Sequence, residues 1–581
     1  MYDVVVGIDF GSSGTGFAYS FLNKNNIIHG KTHCSSADYK VKTEIILDDK
    51  NYIVQFGDEC VKYLKEKGLQ NGHYFKAIKM ELYANKDTII AKNSGKELPL
   101  KLVIQKVLER IRDLAIKEIL KKRPKQQMEK IKWVVTVPSI WDEHQKCIMM
   151  DSCIGAGLIN KNTDKSLFFA LEPEAASLYC SIDKGIDKNY IKEGEYYIVC
   201  DLGGGTGDIV AHLVGSNNKL NEIAPSCGGN FGSDEIDKKI FKDVIEQLFG
   251  CQDFNSFFNK YIKKNNNGND ENDKGDLFND WSRLEKEIKD FKEGITNDKI
   301  INQEKYPINF SLFQDIFEED LDINVLVNKY NEKIYNKNLR LSVKKIKKKW
   351  MIELPYEIIY YYLSAQAKSI AKIINDINSK EDIKTIIFVG GYCSNELLLQ
   401  LIKNDLEKIK TYTYLEPSYP HLAIMNGAVL FGIEPSTINI RKAKYTIGLE
   451  SEETWDDKRH FPKGNKFFNE YENSWFCSEC FSKFIEINQS LKYEDEIFHE
   501  FWTMDNNPRL TFYKTKKTDP IFVFEEGITK IGECFFKIDA KYKNYEERRV
   551  RVILKFGGTY IDVTAIHLKS GDLVKTTLTF D

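Results

Sequence analysis

The sequence predicts an α/β fold in which one strand-and-turn unit occurs twice, followed by a β-rich C-terminal region. An apolar run near the start ends in Asp9 and a glycine-containing turn, and a second apolar run ends in Asp201 and three consecutive glycines. Each turn leads into a further apolar run, so each unit is expected to be a hairpin. After about residue 440 helical periodicity fades, and short alternating or aromatic runs predict a β-sandwich.

Length and composition narrow the class of protein. The 581 residues exceed what one core organises, so roughly two to four domains are expected. The hydrophobic content of 42% and charged content of 29% are those of a soluble globular protein, and the net charge of −3 does not suggest nucleic acid as a partner. The twelve cysteines are scattered, as free thiols in a reducing compartment are. Without a signal sequence or an apolar run of about 18 residues, we expect a cytoplasmic protein with no membrane partner.

The first unit comprises a strand over residues 4–10, the turn Gly11-Ser12-Ser13-Gly14, and a strand over residues 17–21. Glycines let backbone N–H groups approach a phosphate and allow the turn to take positive φ. The rival interpretation is a dinucleotide-binding fingerprint, which requires G-x-G-x-x-G at the start of a helix and an acid about 20 residues later. Here the glycines lead into a strand, so we discount it.

The second unit has the same design: a strand ending at Leu202, the turn Gly203-Gly204-Gly205-Thr206-Gly207, and a strand over residues 209–214. Its carboxylates, Asp201 and Asp208, would repel a bare phosphate, so they indicate a cation, and Mg²⁺ on a nucleotide is the usual one. A tight hairpin with acids at its ends explains the stretch alone equally well. The echo between the two units predicts an internal duplication of a phosphate-gripping element.

Between and after the two units, the pattern predicts alternating strands and helices. Lys76 and Lys79 are candidate phosphate-binding residues, and the alternative is that they are solvated surface charges. A polar stretch over residues 263–276 predicts an inserted loop, and the basic block at 344–349 predicts a solvated helix face rather than a nuclear address. The predicted strands are 54–56, 133–138, 168–171 and 385–389, and the predicted helices are 102–122, 142–157, the helix opening at Glu172-Pro173, 235–249, 281–292, 357–377, and one from 394.

The C-terminal region is predicted to contain strands over 481–487, 509–513, 521–524, 534–538, 550–556, 560–566 and 574–580. It also carries one C-x-x-C, Cys477-Ser478-Glu479-Cys480. A zinc site needs two more ligands at suitable spacing, and the nearest histidine is His460, so the sequence favours a metal-free pair.

These motifs resemble the superfamily of actin, sugar kinases and heat-shock ATPases. The stretch from Asp201 to Asp208, with Glu172-Pro173 upstream, is most similar to the heat-shock protein 70 family. Glu-Pro-Glu-Ala-Ala at 172–176, Val389-Gly390-Gly391-Tyr392 and the lysine segment containing Tyr83 resemble its divergent member-12 branch. The resemblance implies a two-lobed actin-like ATPase fold of duplicated ribonuclease-H-like domains over residues 1–435, with lobes of about 1–190 and 191–435. A linker at 436–445 and a β-sandwich-like, β-rich substrate-binding domain at 446–581 would follow.

The resemblance also assigns roles. The carboxylates of Asp9, Glu172, Asp201 and Asp208 would hold Mg²⁺, largely through water, with Asp9 and Asp201 nearest the metal, and would orient the attacking water. Lys79, in preference to Lys76, would contact the γ-phosphate and the water. The phosphate turns and the loops around the nucleotide would comprise Gly11, Ser12 and Ser13; Gly203, Gly204, Gly205 and Thr206; Gly228 and Gly229; Lys292 beside the adenine; and Gly390, Gly391 and Tyr392 against the adenosine.

The family implies an ATP-binding, chaperone-type protein with slow hydrolysis, polypeptide clients and co-chaperones as partners. Several departures bear on coupling between its domains: Lys289 stands in place of a nucleotide-contacting Glu, His421 replaces an acid, and residues 438–442 replace the acidic-leucine linker. The sequence ends at Asp581, soon after the β region, so the helical lid is expected to be missing. Two alternatives stay open: a small-molecule kinase of sugar-kinase type, and a nucleotide-sensing scaffold with little hydrolysis.

Overall fold

The computed structural model describes residues 2–22, 27–31, 39–160, 166–251, 253–265, 271–310, 313, 322–346, 349–378, 381–556 and 561–577. Within these residues, no helix combines the length and apolarity needed to cross a membrane. Backbone pairing groups the strands into two large sheets near the N-terminal side, two antiparallel sheets at the C-terminal side, and small hairpin sheets between them.

The N-terminal part is built on a wholly buried first strand, as its unbroken apolar sequence predicts for a strand covered on both faces. Its elements in chain order are β1 (Val4–Phe10), β2 (Gly14–Phe21), β3 (Ile28–His29), β4 (Lys40–Lys42), β5 (Ile45–Leu47), β6 (Ile53–Phe56), α1 (Glu59–Lys67), β7 (His73–Phe75), α2 (Ile78–Tyr83), β8 (Thr88–Ile90), β9 (Glu97–Pro99), α3 (Leu100–Lys122), β10 (Ile131–Val137), α4 (Glu143–Gly155), β11 (Leu167–Leu171) and α5 (Glu172–Ile182).

The middle part adds longer helices around a second buried strand pair, and a π-helical turn at Phe241–Ile245 joins two of those helices. Its elements are β12 (Tyr196–Leu202), β13 (Gly207–Val214), β14 (Leu220–Gly229), α6 (Asp234–Ile240), α7 (Glu246–Phe249), α8 (Phe254–Asn265), α9 (Glu271–Glu293), α10 (Asn297–Ile301), β15 (Lys305–Asn309), α11 (Ile323–Glu332), β16 (Ser342–Ile346), β17 (Lys349–Pro355), α12 (Glu357–Asn378), β18 (Thr385–Val389), α13 (Glu396–Glu407), β19 (Thr413–Leu415) and α14 (Ala423–Ile433).

The C-terminal part is mostly strand, and its two antiparallel sheets contribute to one hydrophobic core that includes Leu449, Phe512 and Val552. Its elements are β20 (Ile438–Lys442), β21 (Thr446–Thr454), α15 (Asp457–His460), β22 (Asn465–Asn469), β23 (Ser474–Ile485), β24 (Ser490–Lys492), β25 (Asp495–Trp502), β26 (Arg509–Thr515), β27 (Ile528–Phe535), β28 (Arg549–Phe556), β29 (Ile561–His567) and β30 (Leu573–Thr577).

The two large sheets share one topology. Sheet I has the order β11-β10-β1-β2-β3, and sheet II begins β19-β18-β12-β13-β14. In both, the first three strands run parallel and the third pairs antiparallel with the next. The repeat that the sequence predicts is therefore present in the sheet topology. Sheet II alone continues, through β20 and β24.

Helices α5 and α14 lie between the two sheets. One hydrophobic cluster takes Val5 and Val134 from sheet I, Val199 and Ile387 from sheet II, and small residues from both helices. At Gly427 of α14, a side chain would overlap the carbonyl of an α5 residue, so glycine is required for this approach. The shared cluster joins the two sheets into one body.

Four sequence expectations differ from the structure, and one of them is the predicted strand 534–538, of which only 534–535 belong to a strand, β27. The predicted loop at 263–276 is occupied by the end of α8 and the start of α9, apart from 266–270, which lie outside the described residues. The basic block at 344–349 belongs to the β16–β17 hairpin, in which the adjacent Lys344 and Lys345 are both exposed, and 347–348 lie outside the described residues. Residues 521–524 form a single bridge at Phe522 instead of a strand.

Candidate functional site

The turns that follow β1 and β12 face each other. A Cβ on Gly204 would overlap Ser13 Oγ, and a Cβ on Gly205 would overlap Ser12 Oγ. Ser13 Oγ also donates to Asp234 Oδ2 at 3.3 Å, at the start of α6. The two glycine turns that the sequence predicts thus meet, with the serines of the first turn against the glycines of the second.

The second turn is closed by its own backbone and supported from behind. Gly203 N–H donates to the carbonyl of Thr206 at 3.0 Å, and Asp234 N–H donates to the carbonyl of Gly204 at 2.8 Å. In the first turn, Thr43 Oγ1 donates to the carbonyl of Gly11 at 2.6 Å. Both turns therefore keep their shape without a ligand.

Four buried carboxylates converge beside the turns. Asp9 ends β1, Asp201 lies near the end of β12, Asp208 lies near the start of β13, and Glu172 is the first residue of α5. Burial and then repulsion from Glu172, Asp208 and Asp9 raise the pKa of Asp201 well above its ordinary value. Burial raises the pKa of Glu172 to about 7, although the Lys79 ammonium opposes the shift.

The four carboxylates differ in their partners. Lys40 Nζ lies 2.5 Å from Asp9 Oδ2, and buried Lys79 makes a short ion pair with Glu172. Asp208 Oδ1 accepts the N–H of Ser139 at 2.8 Å and its hydroxyl as well. Asp201 Oδ1 and Asp208 Oδ2 are buried and have no hydrogen-bond partner among the described residues.

This arrangement fits a divalent cation. Burial raises the carboxyl pKa of both Asp201 and Asp208, and each has a buried oxygen without a hydrogen-bond partner among the described residues, so a further cation would be stabilising here. Oxygen is the ligand type that Mg²⁺ prefers. Among the described residues, three potential metal-ligand atoms lie within 4.8 Å of one another in a different part of the chain, and these carboxylates are not among them. They therefore do not form a direct ligand shell. Mg²⁺ here would be held mostly through water.

Further glycines line the cluster. Gly390 has φ +94°, and a Cβ there would overlap the Leu202 carbonyl and lie 2.6 Å from Asp201 Oδ1. The adjacent Gly391 faces open space. Gly228 pairs with Asp208 across β13 and β14, and Gly229 pairs with Gly207. The glycine pairs at 228 and 390 therefore border the two acids of the second unit.

Three other predicted residues lie toward α6. Tyr392 donates its hydroxyl to Gln366 at 3.0 Å, and Gln366 donates to the carbonyl of Gly232 at 3.3 Å. Lys292 Nζ is buried, 2.6 Å from Asp237 Oδ2. Lys76 points away from the carboxylates and lies 2.6 Å from Glu285. Of the two candidate lysines, Lys79 is the one at the cluster.

Several residues that contact the site were not identified from the sequence. Lys40 and Thr43 lie downstream of the first unit, and no sequence motif connects them to it. Ser139 carried a weak signal, because it directly follows the predicted strand and Pro138, as strand-end site residues often do in α/β proteins. The sequence could not reveal that its N–H and hydroxyl hold Asp208.

The strand β20 connects the site to the C-terminal sheets. It pairs parallel with β14 and antiparallel with β24. Its Arg441 makes two hydrogen bonds, of 2.7 and 2.8 Å, to the buried carboxylate of Glu174, two residues after Glu172. Shortly beyond it, Lys444 donates to the carbonyl of Ser139. Both contacts reach residues adjacent to the carboxylate cluster.

Glu222 of β14 adds hydrogen bonds to the place where β20 attaches to β14 and α5, called here the seam. It accepts the N–H of Lys442 and the N–H of Ser226, each at 2.7 Å. Burial, then the charge of Glu174, raises the pKa of Glu222 to about 7. Attachment of β20 therefore involves a carboxyl group that titrates near neutral pH.

The fold and the site define a two-lobed α/β protein in which two copies of one sheet bring strand-end acids and glycine turns together. A family model described as Hsp70 protein matches residues 35–324. The heat shock 70 kDa protein 12A of Mus musculus is 24% identical over 99% of this chain and 91% of its own length. The heat shock 70 kDa protein 12B of Homo sapiens is 22% identical over 100% and 91%. The chaperone protein dnaK of Thalassiosira pseudonana is 32% identical over 20% of this chain and 17% of its own length.

The chain is a divergent member of the heat shock protein 70 family, and its similarity to the 12A and 12B proteins extends over nearly its whole length. This membership implies the actin-like ATPase fold, in agreement with the repeated sheet topology. The resemblance drawn from the motifs at Asp9, Asp201 and Gly390 is thus confirmed.

Proposed function

We propose that this protein binds ATP with Mg²⁺ between the turns after β1 and β12, hydrolyses it slowly, and couples this cycle to polypeptide binding by its C-terminal sheets. The observation that carries the proposal is the convergence of two glycine turns on a buried carboxylate cluster with orphaned oxygens at Asp201 and Asp208. Nucleotide and Mg²⁺ binding is typical of the family, which supports the same conclusion.

The turns would provide the phosphate contacts. Because the hydroxyls of Ser12 and Ser13 lie against Gly204 and Gly205, they must rotate to admit a phosphate, to which they can then donate. Asp9 and Asp201 would hold the ion mostly through water, and the ion would neutralise the phosphate oxygens. The nucleoside would border the residues Gly228, Gly229, Lys292, Gly390, Gly391 and Tyr392.

Hydrolysis needs a positioned water and a place for its proton. Lys79 and Glu172 form a buried ion pair beside Asp201 and Asp208. We assign Lys79 to orienting the water and the γ-phosphate, and Glu172 and Asp208 to accepting hydrogen bonds from the water. With its pKa near 7, Glu172 can take up a proton at neutral pH. Such a set supports slow phosphoryl transfer without a covalent step.

Coupling to the C-terminal sheets would pass through β20. Arg441 and Lys444 contact Glu174 and Ser139, which adjoin the catalytic acids Glu172 and Asp208. A change in position of α5 or of the segment after β10 when nucleotide binds would alter these two contacts. The residues that replace the acidic-leucine linker thus retain a physical connection to the site.

The polypeptide would bind in a cavity of about 1470 Å³ between the C-terminal sheets. Its lining contains more acids than bases, and several aromatic side chains there are well exposed, among them Phe468, Tyr471, Phe498 and Trp502. Acidic and aromatic walls complement a segment that carries lysine or arginine beside apolar residues. We therefore propose a basic, partly apolar polypeptide as the client, presented with the aid of co-chaperones.

Calorimetry with ATP and with ADP, each with and without Mg²⁺, tests nucleotide binding by the full chain. We expect both nucleotides to bind and Mg²⁺ to tighten the binding of ATP. Lys79→Met is expected to weaken ATP binding or turnover, and Lys76→Met, the matched control, to leave both close to wild type, because Lys76 pairs with Glu285 instead. Absence of binding to either nucleotide would remove the proposal.

Turnover measurements separate this function from its alternatives. A rise in ATP hydrolysis with a Lys- and Phe-containing peptide, lost in Trp502→Ala and kept in Phe535→Ala, would support a chaperone-type cycle, because Phe535 is exposed but lies outside the cavity. A rise with a sugar or polyol instead would indicate a small-molecule kinase. Undetectable turnover with ATP-dependent thermal stabilisation would indicate a nucleotide-sensing scaffold.

A further inference from the structure

A second cluster of ligand-type side chains lies at the start of the C-terminal sheets, far along the chain from the acids described above. One ring nitrogen of His460 and the Sγ atoms of Cys477 and Cys480 all lie within 4.8 Å of one another. All three residues are buried, with exposures of 1%, 0% and 0%. The C-x-x-C, which has too few potential metal ligands near it in the sequence, thus has a third one beside it in the folded structure.

A backbone irregularity brings the two cysteines together. Residues three apart on a regular strand point to opposite faces of the sheet. In β23, however, Cys477 pairs with Glu453 and Cys480 with Ser451, so three steps on β23 match two on β21. The extra residue is accommodated at Glu479, where φ is +59°. Such a bulge redirects side chains, and here both thiols face His460.

The residues around the cluster leave space beside one thiol and leave one histidine nitrogen without a hydrogen-bond partner. His460 Nδ1 accepts the N–H of Asp456 at 3.0 Å, and Nε2 is buried with no hydrogen-bond partner among the described residues. Glu453 Oε2 lies 3.8 Å from that Nε2. At Gly464, a Cβ would lie 2.7 Å from Cys477 Sγ, so glycine keeps the space beside the thiol free.

Two ordinary explanations fit less well. Buried cysteines serve as small apolar side chains, and Phe522 and Trp455 pack here, but an apolar cluster does not account for a buried imidazole nitrogen without a partner. A redox pair of two cysteines does not account for the buried histidine ring that lies within 4.8 Å of both thiols.

We propose that His460, Cys477 and Cys480, with Glu453 as the fourth ligand, bind one zinc ion. Two thiolates, an imidazole and a carboxylate are zinc ligands, and a closed set of four is typical of structural sites. In a tetrahedral site with Zn–N near 2.0–2.1 Å and Zn–S near 2.3 Å, ligand atoms lie roughly 3.3–3.8 Å apart. The atoms of His460, Cys477 and Cys480 need only a small contraction to reach this geometry, whereas the carboxylate of Glu453, 3.8 Å from His460 Nε2, must turn toward the two thiols.

Zinc binding has a defined proton balance. With Nδ1 accepting a hydrogen bond, the neutral ring of His460 carries its proton on Nε2. On binding, Nε2 gives up this proton, Nδ1 gains one, and the contact with the Asp456 N–H is lost. Each thiol releases a proton, so two protons leave in total. Calorimetry in buffers of different ionisation enthalpy measures this number.

The bound ion would fix one wall of the C-terminal cavity. Glu453 lines that cavity, as do Phe467 of β22 and Phe476 of β23. Zinc would tie α15, which carries His460, to β21 and β23 at this wall. The site is a structural staple, and it does not depend on whether the nucleotide proposal holds.

The first test is the metal content of the full chain, purified in reducing buffer without chelator after growth with added zinc. We expect one zinc per chain by mass spectrometry. Cys477→Ser and Cys480→Ser should lose it, and Cys534→Ser should keep it, because Cys534 is a buried thiol of the same part of the chain outside the cluster. Glu453→Gln should lower the zinc affinity by more than the about tenfold that loss of an outer-shell partner costs.

A second measurement on the wild-type protein is independent of whether the variants fold. After removal of zinc, Co²⁺ should give the thiolate-to-metal charge-transfer band and the strong visible bands of a tetrahedral site. A wild-type chain without zinc and without these bands would overturn the proposal. So would a Cys477–Cys480 disulfide in the freshly purified reduced protein, or full zinc content in the Cys477→Ser/Cys480→Ser double variant.

Discussion

Sheets I and II carry the same five-strand topology but differ in charge and in extent. In sheet I, the strand-end acid Asp9 is paired with Lys40, and the sheet ends at β3 and β4. In sheet II, the corresponding acid Asp201 has an oxygen without a partner, and the sheet continues through β20 and β24 into the C-terminal part. Among the described residues, the half whose strand-end acid has an oxygen without a partner is thus also the half that extends toward the C-terminal sheets.

This difference assigns separate roles to the two halves. Because Asp9 is already neutralised by a lysine, sheet I needs no cation for its stability. At Asp201 and Asp208 the nearby Lys79 offsets only part of the rise in carboxyl pKa, so further positive charge there would add electrostatic stabilisation to sheet II. Ligand binding should therefore act mainly on sheet II, where β20 is attached, and four comparisons of variants examine this asymmetry.

The largest effect is expected at the attachment of β20. Arg441→Met leaves the buried carboxylate of Glu174 without its two hydrogen bonds, and removal of one partner from a buried pair costs about 3–5 kcal/mol. Urea unfolding measures the loss, and Arg509→Met, whose pair with Glu533 is half exposed, should cost about 1 kcal/mol or less. A loss at Arg441 no greater than at Arg509 would show that the seam is not important for stability.

The next effect is a pH dependence at the same seam. The pKa of Glu222 is raised to about 7 in the folded protein from 4.5, so its protonated form is the one that folding favours. Its contribution is complete below pH 4.5 and is lost as the pH rises to about 7. Relative to Glu222→Gln, the wild type should lose about 3 kcal/mol across this interval, at 1.36 kcal/mol per pKa unit. Parallel stability curves for the two proteins would contradict it.

A paired substitution of the two strand-end acids compares the sheets directly. Without ligand, Asp201→Asn should raise the free energy of unfolding at neutral pH by about 1–3 kcal/mol, because it removes a buried, poorly satisfied carboxyl group. Asp9→Asn should lower it by about 1 kcal/mol, because it removes the partner of Lys40. Effects of the same sign would mean that the two acids are equivalent.

The smallest effect concerns the glycine pair behind Asp201. Gly390→Ala places a side chain at φ +94° against Leu202 and Asp201, at a cost of about 1–2 kcal/mol. Gly391→Ala enters open space, so its effect should stay within about 0.5 kcal/mol. Thermal unfolding of both variants measures the difference, and equal stabilities would place the strain elsewhere.

Local pattern was sufficient for the strands, turns and acids of the two repeated units. Asp9 and Asp201 end apolar runs and precede glycines, so a few neighbouring residues determine their position. Partners from distant segments could not be predicted in this way: Lys40 at Asp9, Ser139 at Asp208, and Arg441 at Glu174 depend on the packing of whole elements.

The polar composition of residues 263–276 also misled the prediction, because polar composition does not exclude a helix, and α8 ends and α9 begins within this stretch. Likewise, spacing alone favoured a metal-free C-x-x-C, since the sequence contained no sign of the bulge at Glu479 that turns both cysteines toward His460. In both cases the missing information was the packing partner of the segment.

The central claim is that the unpaired acid of sheet II creates the requirement for Mg²⁺ at a nucleotide site. The most direct measurement is the affinity for ATP with and without Mg²⁺ in the wild type, Asp201→Asn and Asp9→Asn. We predict that Mg²⁺ tightens ATP binding at least about tenfold in the wild type, a difference of about 1.4 kcal/mol, and that Asp201→Asn abolishes this enhancement more completely than Asp9→Asn. An undiminished Mg²⁺ enhancement in Asp201→Asn would contradict the claim.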